Sequence, residues 1–242
     1  MAAANWDNCI GLSRGNEGGF QCLRSDSGNW TGGQVGVGQL VGTNFGIAAA
    51  SHPNVDIRAL TWPQAKAIYH DEYWAPIHGD TLPIGVDACV LDDAINAGPS
   101  AAIKRLQEAV GVMADGSFGP KTAAAVAACD PLATIGKLCD LRLAEYRTYR
   151  QWGVQVQSGQ PTTYGEVWTT RIGHVRSEAL KMLMPSGGVP AAPTAAPSSI
   201  AAMPTSVPPS KPAIPQRQPG FTEALSGLFH ASLSVFSTKG QS

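Results

Sequence analysis

Apolar side chains recur at helical spacing through most of the first 184 residues, and this recurrence restricts the chain to a mainly α fold. Trp6, Ile10, Ser13 and Glu17 stand at i, i+4, i+7 and i+11, and Gly18-Gly19 supply a C-terminal stop for that first helix. In "TWPQAKAIYHDEYW", Thr61 is placed as an N-cap, Gln64 stands three residues on as in a capping box, and Pro63 falls where a missing N–H costs little. Val86, Cys89, Val90, Asp93, Ala94 and Ala97 line one face of the next helix. Ile103, Leu106 and Val110 continue the pattern beyond Gly98-Pro99. Asp130 caps a further helix carrying Leu132, Ile135, Leu138, Arg142 and Tyr146, and the last helix carries Trp168, Ile172, Val175, Ala179 and Leu183. Only "GGQVGVGQLVGTNFGI" reads as extended. It is too rich in glycine for a central strand and suits a hairpin or loop.

The pattern stops at Pro185. From there to Gly220 the chain is dominated by Pro, Ala and Ser, a composition that cannot bury enough apolar surface to offset its ordering entropy and reads as an extended linker. Beyond it, Phe221, Leu225, Leu228, Phe229, Leu233 and Phe236 fall near helical spacing, which predicts a short amphipathic helix over residues 221–238. Its polar face is nearly free of cations, which favours a protein partner over a membrane surface.

Net charge is -1, so no broad basic footprint for nucleic acid exists. The five cysteines show no CxxC spacing and read as small apolar packing groups of a chain folded in a reducing compartment. No histidine or cysteine spacing suits a metal, no serine occupies a GxSxG elbow, and neither a secretory signal nor a spanning segment is evident.

The chemistry concentrates in "RGNEGGFQCLRSDSGNWTGG". Glu17 ends its helix on the rim of the apolar face, where partial desolvation disfavours the charged form and suits a general acid. Asp26 follows nine residues later in a polar loop with Ser25, Ser27, Asn29 and Thr31. Two carboxylates in contrasting surroundings fit glycoside hydrolysis. On spacing alone, a helix end followed by surface charges fits as well.

The order of several short elements adds a resemblance. Glu17-Gly18-Gly19-Phe20 resembles the E-G-G-aromatic element of the glycoside hydrolase 108 family, the N-acetylmuramidases of phage endolysins and related bacterial proteins. Asp26 to Asn29, "DSGN", falls where that family carries D-P-G-G. "TNFGI" at 43–47 resembles its T-x-aromatic-G-I segment, and "DIRALT", "AIYHDEYW" and "DDAINAGP" follow in family order. The resemblance covers about residues 5–183. It implies a lysozyme-like α-helical fold with a small β-hairpin element, Glu17 as catalytic acid, and Asp26 as the residue that stabilises charge or handles water. Either Thr31, by distance from Asp26, or Thr43, by local motif, supplies the nearby hydroxyl, with Thr43 preferred. Trp30, Thr31 and Asn96 are the expected substrate contacts. Asp92, Asp93 and also Asn96 read as hydrogen-bonding anchors ahead of catalysis. Ser27 and Asn29 depart from the family's Pro and second Gly.

"RLQEAVGVMADGSFGPKT" resembles the peptidoglycan-binding segment that follows in this family, and also reads as a helix–turn–helix packing unit. The expected organisation is a muramidase region at 1–98, a helical region at 99–184 packed on it, the linker at 185–220 and the helix at 221–238. The expected activity is cleavage of the β-1,4 bond between N-acetylmuramic acid and N-acetylglucosamine, without cofactor or metal. The rivals are a lytic transglycosylase and a non-catalytic wall-binding or virion structural protein. Peptidoglycan strands are the expected partner of a monomer made in the cytoplasm, which reaches the wall through a holin or another export route, or within a virion. No nucleic acid is expected as a partner.

Overall fold

The computed structural model describes residues 5–14, 19–155 and 162–184. Glu17, the linker at 185–220 and the helix expected at 221–238 lie outside the described residues.

Seven α-helices are present among the described residues: α1 (Trp6–Arg14), α2 (Trp62–Tyr69), α3 (Val86–Ala97), α4 (Pro99–Val110), α5 (Pro120–Ala127), α6 (Pro131–Arg147) and α7 (Tyr164–Leu183). A two-stranded antiparallel sheet, β1 (Thr43–Asn44) and β2 (Ile47–Ala48), lies between α1 and α2. The capping signals act as the sequence suggests. The Gln64 side chain accepts from the Thr61 N–H at 2.9 Å and from its hydroxyl at 2.7 Å, and the Asp130 carboxylate accepts from the Leu132 N–H at 3.1 Å. α2 runs into a π-helical turn, His70–Trp74, which carries Trp74 into the core, where its indole N–H donates to Asp80 at 3.0 Å.

Two apolar clusters organise the molecule. The larger takes in Cys9, Trp74, Ile77, most of α3, and the inward faces of α4, α6 and α7. The smaller gathers Ile10, Ile47, Ala49, Ile57, Leu60, Ala65 and Tyr69 beneath the sheet and α2. Trp6, Tyr73 and Ile95 pack against both, so the sheet region and the helical bundle share a seam. All five cysteines are free, and Cys9, Cys89 and Cys139 are buried as packing groups.

α3 differs from its sequence pattern. The spacing predicts one apolar face, yet the helix is buried on nearly every side, including Asp87, Asp92 and Asp93. Charges are tolerated there because cations from other helices meet them. Arg142 and Arg171 each reach Asp92 at 2.6 Å, while Arg105 grips Asp93 through two bonds of 2.6 and 2.8 Å. Burial alone would raise the Asp92 carboxyl, but the two guanidiniums overcome it and hold it well below the usual range. Asp87 meets no such cation among the described residues, and burial pushes its carboxyl up even though Asn5 donates to it at 2.6 Å. α3 therefore acts as the axle around which α1, α4, α6 and α7 pack. The architecture is mainly α and lysozyme-like, with a small β element, as expected.

Candidate active site

The loop after residue 18 is built around amides. Asp26 caps a short 3₁₀ turn, Ser27–Asn29, by accepting the Gly28 N–H at 2.9 Å. Its other oxygen accepts from the Gln21 side-chain amide at 3.0 Å. Gln21 and Asn29 then exchange two side-chain hydrogen bonds, of 3.0 and 2.7 Å, and Asn29 also donates to the Leu23 carbonyl at 3.0 Å. The Thr43 hydroxyl donates to the same Asn29 oxygen at 2.8 Å. The backbone repeats the pairing: Gln21 and Thr43 bond reciprocally at 2.9 and 2.8 Å, and the Asn29 carbonyl accepts from Val41 and Gly42. Asp26, Gln21, Asn29 and Thr43 thus form one continuous chain of hydrogen bonds with fully buried Asn29 at its hub. The arrangement fixes a carboxylate and a hydroxyl relative to each other through a satisfied polar network.

The other expected site residues take different places. The Thr31 hydroxyl accepts from the Gln39 N–H at 2.9 Å, and its own N–H donates to the Gln39 carbonyl at 3.0 Å. It closes the glycine-rich hairpin rather than joining the Asp26 chain. Trp30 is buried, its indole N–H donates to the Arg24 carbonyl at 2.9 Å, and the Arg24 guanidinium lies 5.8 Å from its ring centroid. Asn96 is buried on α3 and donates to the Asp92 carbonyl at 2.5 Å, one turn back in its own helix.

Sequence reasoning missed the residues that hold the network. Gln21 and Asn29 are uncharged, and Asn29 registered only as a departure from a family loop, although it is the hub. Sequence reasoning took Phe20 only as the aromatic of a family element and gave it no part in the site; the residue is 44% exposed beside Gln21. The ring lies close over Gly42, which adopts φ +110; a Cβ there would meet the Gln21 carbonyl at 2.6 Å and the ring at 2.8 Å, so this contact requires glycine. The Arg58 guanidinium lies 5.2 Å from the centroid of Phe20 and reaches the Cys22 sulfur at 3.6 Å. An exposed aromatic followed within two residues by the loop amide was the available signal. No cluster of His, Cys, Asp and Glu suited to a metal occurs among the described residues.

A lysozyme-like helical fold carrying a carboxylate–hydroxyl network in the loop after its first helix defines the class, and the comparisons define the family. The sequence profile described as Glycosyl hydrolase 108 matches residues 13–98. The structure of Brucella abortus SagA matches with a TM-score of 0.60 at 33% identity, covering 76% of this chain and 98% of that one. No curated protein matches the sequence. The chain belongs to glycosyl hydrolase family 108 and is a glycoside hydrolase. This membership supports peptidoglycan as the polymer on which it acts.

Proposed function

We propose that the protein is an N-acetylmuramidase that hydrolyses the β-1,4 bond between N-acetylmuramic acid and N-acetylglucosamine in peptidoglycan. In this reading Glu17 is the general acid that protonates the glycosidic oxygen, and Asp26 stabilises the positive charge developing at the sugar or orients the attacking water. Thr43 supplies a hydroxyl beside that water. The observation that carries the reading is the hydrogen-bond chain from Asp26 through Gln21 and Asn29 to Thr43. It preorganises a carboxylate nine residues after Glu17, so the charge it offers to an oxocarbenium-like transition state needs little rearrangement.

Trp30, Thr31 and Asn96 then act behind the substrate surface. Trp30 and Thr31 support the hairpin that flanks the loop, and Asn96 bonds within its own helix. The glycan strand is the partner. A holin-type passage, another export route or carriage in a virion would bring the protein to it. No helix among the described residues is long and apolar enough to cross a membrane.

The test is lysis of permeabilised cell walls with analysis of the released ends by mass spectrometry. Wild-type protein is expected to release reducing N-acetylmuramic acid ends, and Glu17→Gln to lose activity by about a thousandfold or more, as expected when a proton donor is removed. Undiminished clearing by Glu17→Gln would overturn the assignment. Anhydro ends in the products would point to a lytic transglycosylase instead.

A further inference from the structure

Phe20 and Arg58 form a feature that the hydrolytic chemistry leaves unused. The guanidinium packs against the exposed ring at 5.2 Å and reaches toward Cys22, so its position is set by an aromatic ring and a sulfur rather than by an acid. Among the described residues no carboxylate pairs with Arg58. Both Phe20 and Arg58 are exposed, and both sit at the edge of the Asp26 network: Phe20 precedes Gln21, and Arg58 touches the residue that follows it. With one Nη2–H directed at the Cys22 sulfur, the guanidinium beside the ring keeps its remaining N–H groups for a bond to a planar anion. The ring itself offers an apolar surface to a sugar.

We propose that Phe20 and Arg58 form a subsite that recognises a carboxylate borne by the glycan beside the cleavage point, with Arg58 binding the anion and Phe20 holding both the guanidinium and a sugar face. The inference rests on the peptidoglycan-hydrolase reading above. Peptidoglycan offers that carboxylate from two sources, the stem peptide and the lactyl group once the peptide is removed. Arg58 acts as a specificity determinant: it binds ground state and transition state alike and so lowers KM without changing kcat.

The experiment uses the full chain and three substrates. These are intact cell walls, walls whose carboxyls have been amidated by carbodiimide coupling, and glycan stripped of its peptides by an amidase. Arg58→Gln is expected to raise KM on intact walls about tenfold, the worth of one charge-assisted pair, with kcat preserved. Amidated walls are expected to impose the same rise on the wild type and to cost Arg58→Gln nothing further. Phe20→Leu keeps the bulk but removes the aromatic face, and is expected to give part of the Arg58→Gln effect. If the Arg58 dependence vanishes on stripped glycan, the stem peptide alone is the source; if it persists there, the lactyl carboxylate freed by the amidase is bound as well. An equal KM rise for Arg58→Gln on intact and amidated walls would overturn the subsite, as would a fall in kcat with KM unchanged. Either failure is separable from failure of the hydrolase reading, because wild-type protein would still release reducing ends.

Discussion

At the scale of single residues, the candidate site depends on an asparagine. Asn29 is fully buried and its side chain makes four hydrogen bonds, to Gln21 twice, Leu23 and Thr43. Asn29→Ala leaves the Gln21 amide and the Thr43 hydroxyl short of partners. The expected cost is about 1–3 kcal/mol of stability, read as a lower melting temperature, together with a loss of wall-lytic activity as Asp26 loses its bracing. Thr43→Val keeps the shape and removes one donor, so it should lower activity with a smaller change in melting temperature. Equal activity in both variants and wild type would show that the network serves the loop alone. Asp26 and Thr43 stand out in the sequence because acids and short ordered motifs carry a signal. Gln21 and Asn29 do not, because an amide does its work through two specific distances that appear only when residues 21, 29 and 43 meet. Trp30 shows the converse. An aromatic near a cleft suggested stacking, but its indole N–H found a backbone carbonyl and the ring went inward.

At the scale of elements, the helices were readable from periodicity and caps, since α2 and α6 begin next to Thr61 and Asp130, which the sequence marks as caps, and α7 carries the apolar spacing from Trp168 to Leu183. The environment of α3 was not readable. Asp92 and Asp93 read as hydrogen-bonding anchors, but the sequence does not name their partners, Arg105, Arg142 and Arg171, which arrive from α4, α6 and α7. These pairs make stability depend on pH. The Asp92 carboxyl is held below its unfolded range by Arg142 and Arg171 against the effect of burial, so its contribution is present above about pH 4 and is lost as pH falls through the depressed folded value. Asp87, raised by burial, acts with the opposite sign: ionising it costs stability as pH rises. Melting temperature followed downward from pH 7 should therefore drop below about pH 4. At neutral pH, Asp92→Asn should destabilise by about 3–5 kcal/mol, because two buried cations lose their countercharge. A melting temperature unchanged by Asp92→Asn would show that the pairs are energetically idle.

At the scale of the whole molecule, the family profile covers residues 13–98, and the chain turns from α3 into α4 at Gly98. The core does not respect that point. The larger apolar cluster runs from Cys9 through α3 to Ala179, and three arginines beyond residue 98 neutralise Asp92 and Asp93 of α3. A fragment of residues 1–98 is therefore expected to lack a cooperative thermal transition that the full chain shows, measured by circular dichroism. A sharp transition in the fragment would establish an independent unit. The shared core also has a consequence for how such a sequence can change over time. A second half supplied from elsewhere would have to bring cations to three particular places on another segment's helix, so simple exchange at the visible boundary destroys the fold it inherits. Drift after residue 98 is tied to drift before it, and the pairs 92–142, 92–171 and 93–105 are where that coupled substitution should be found.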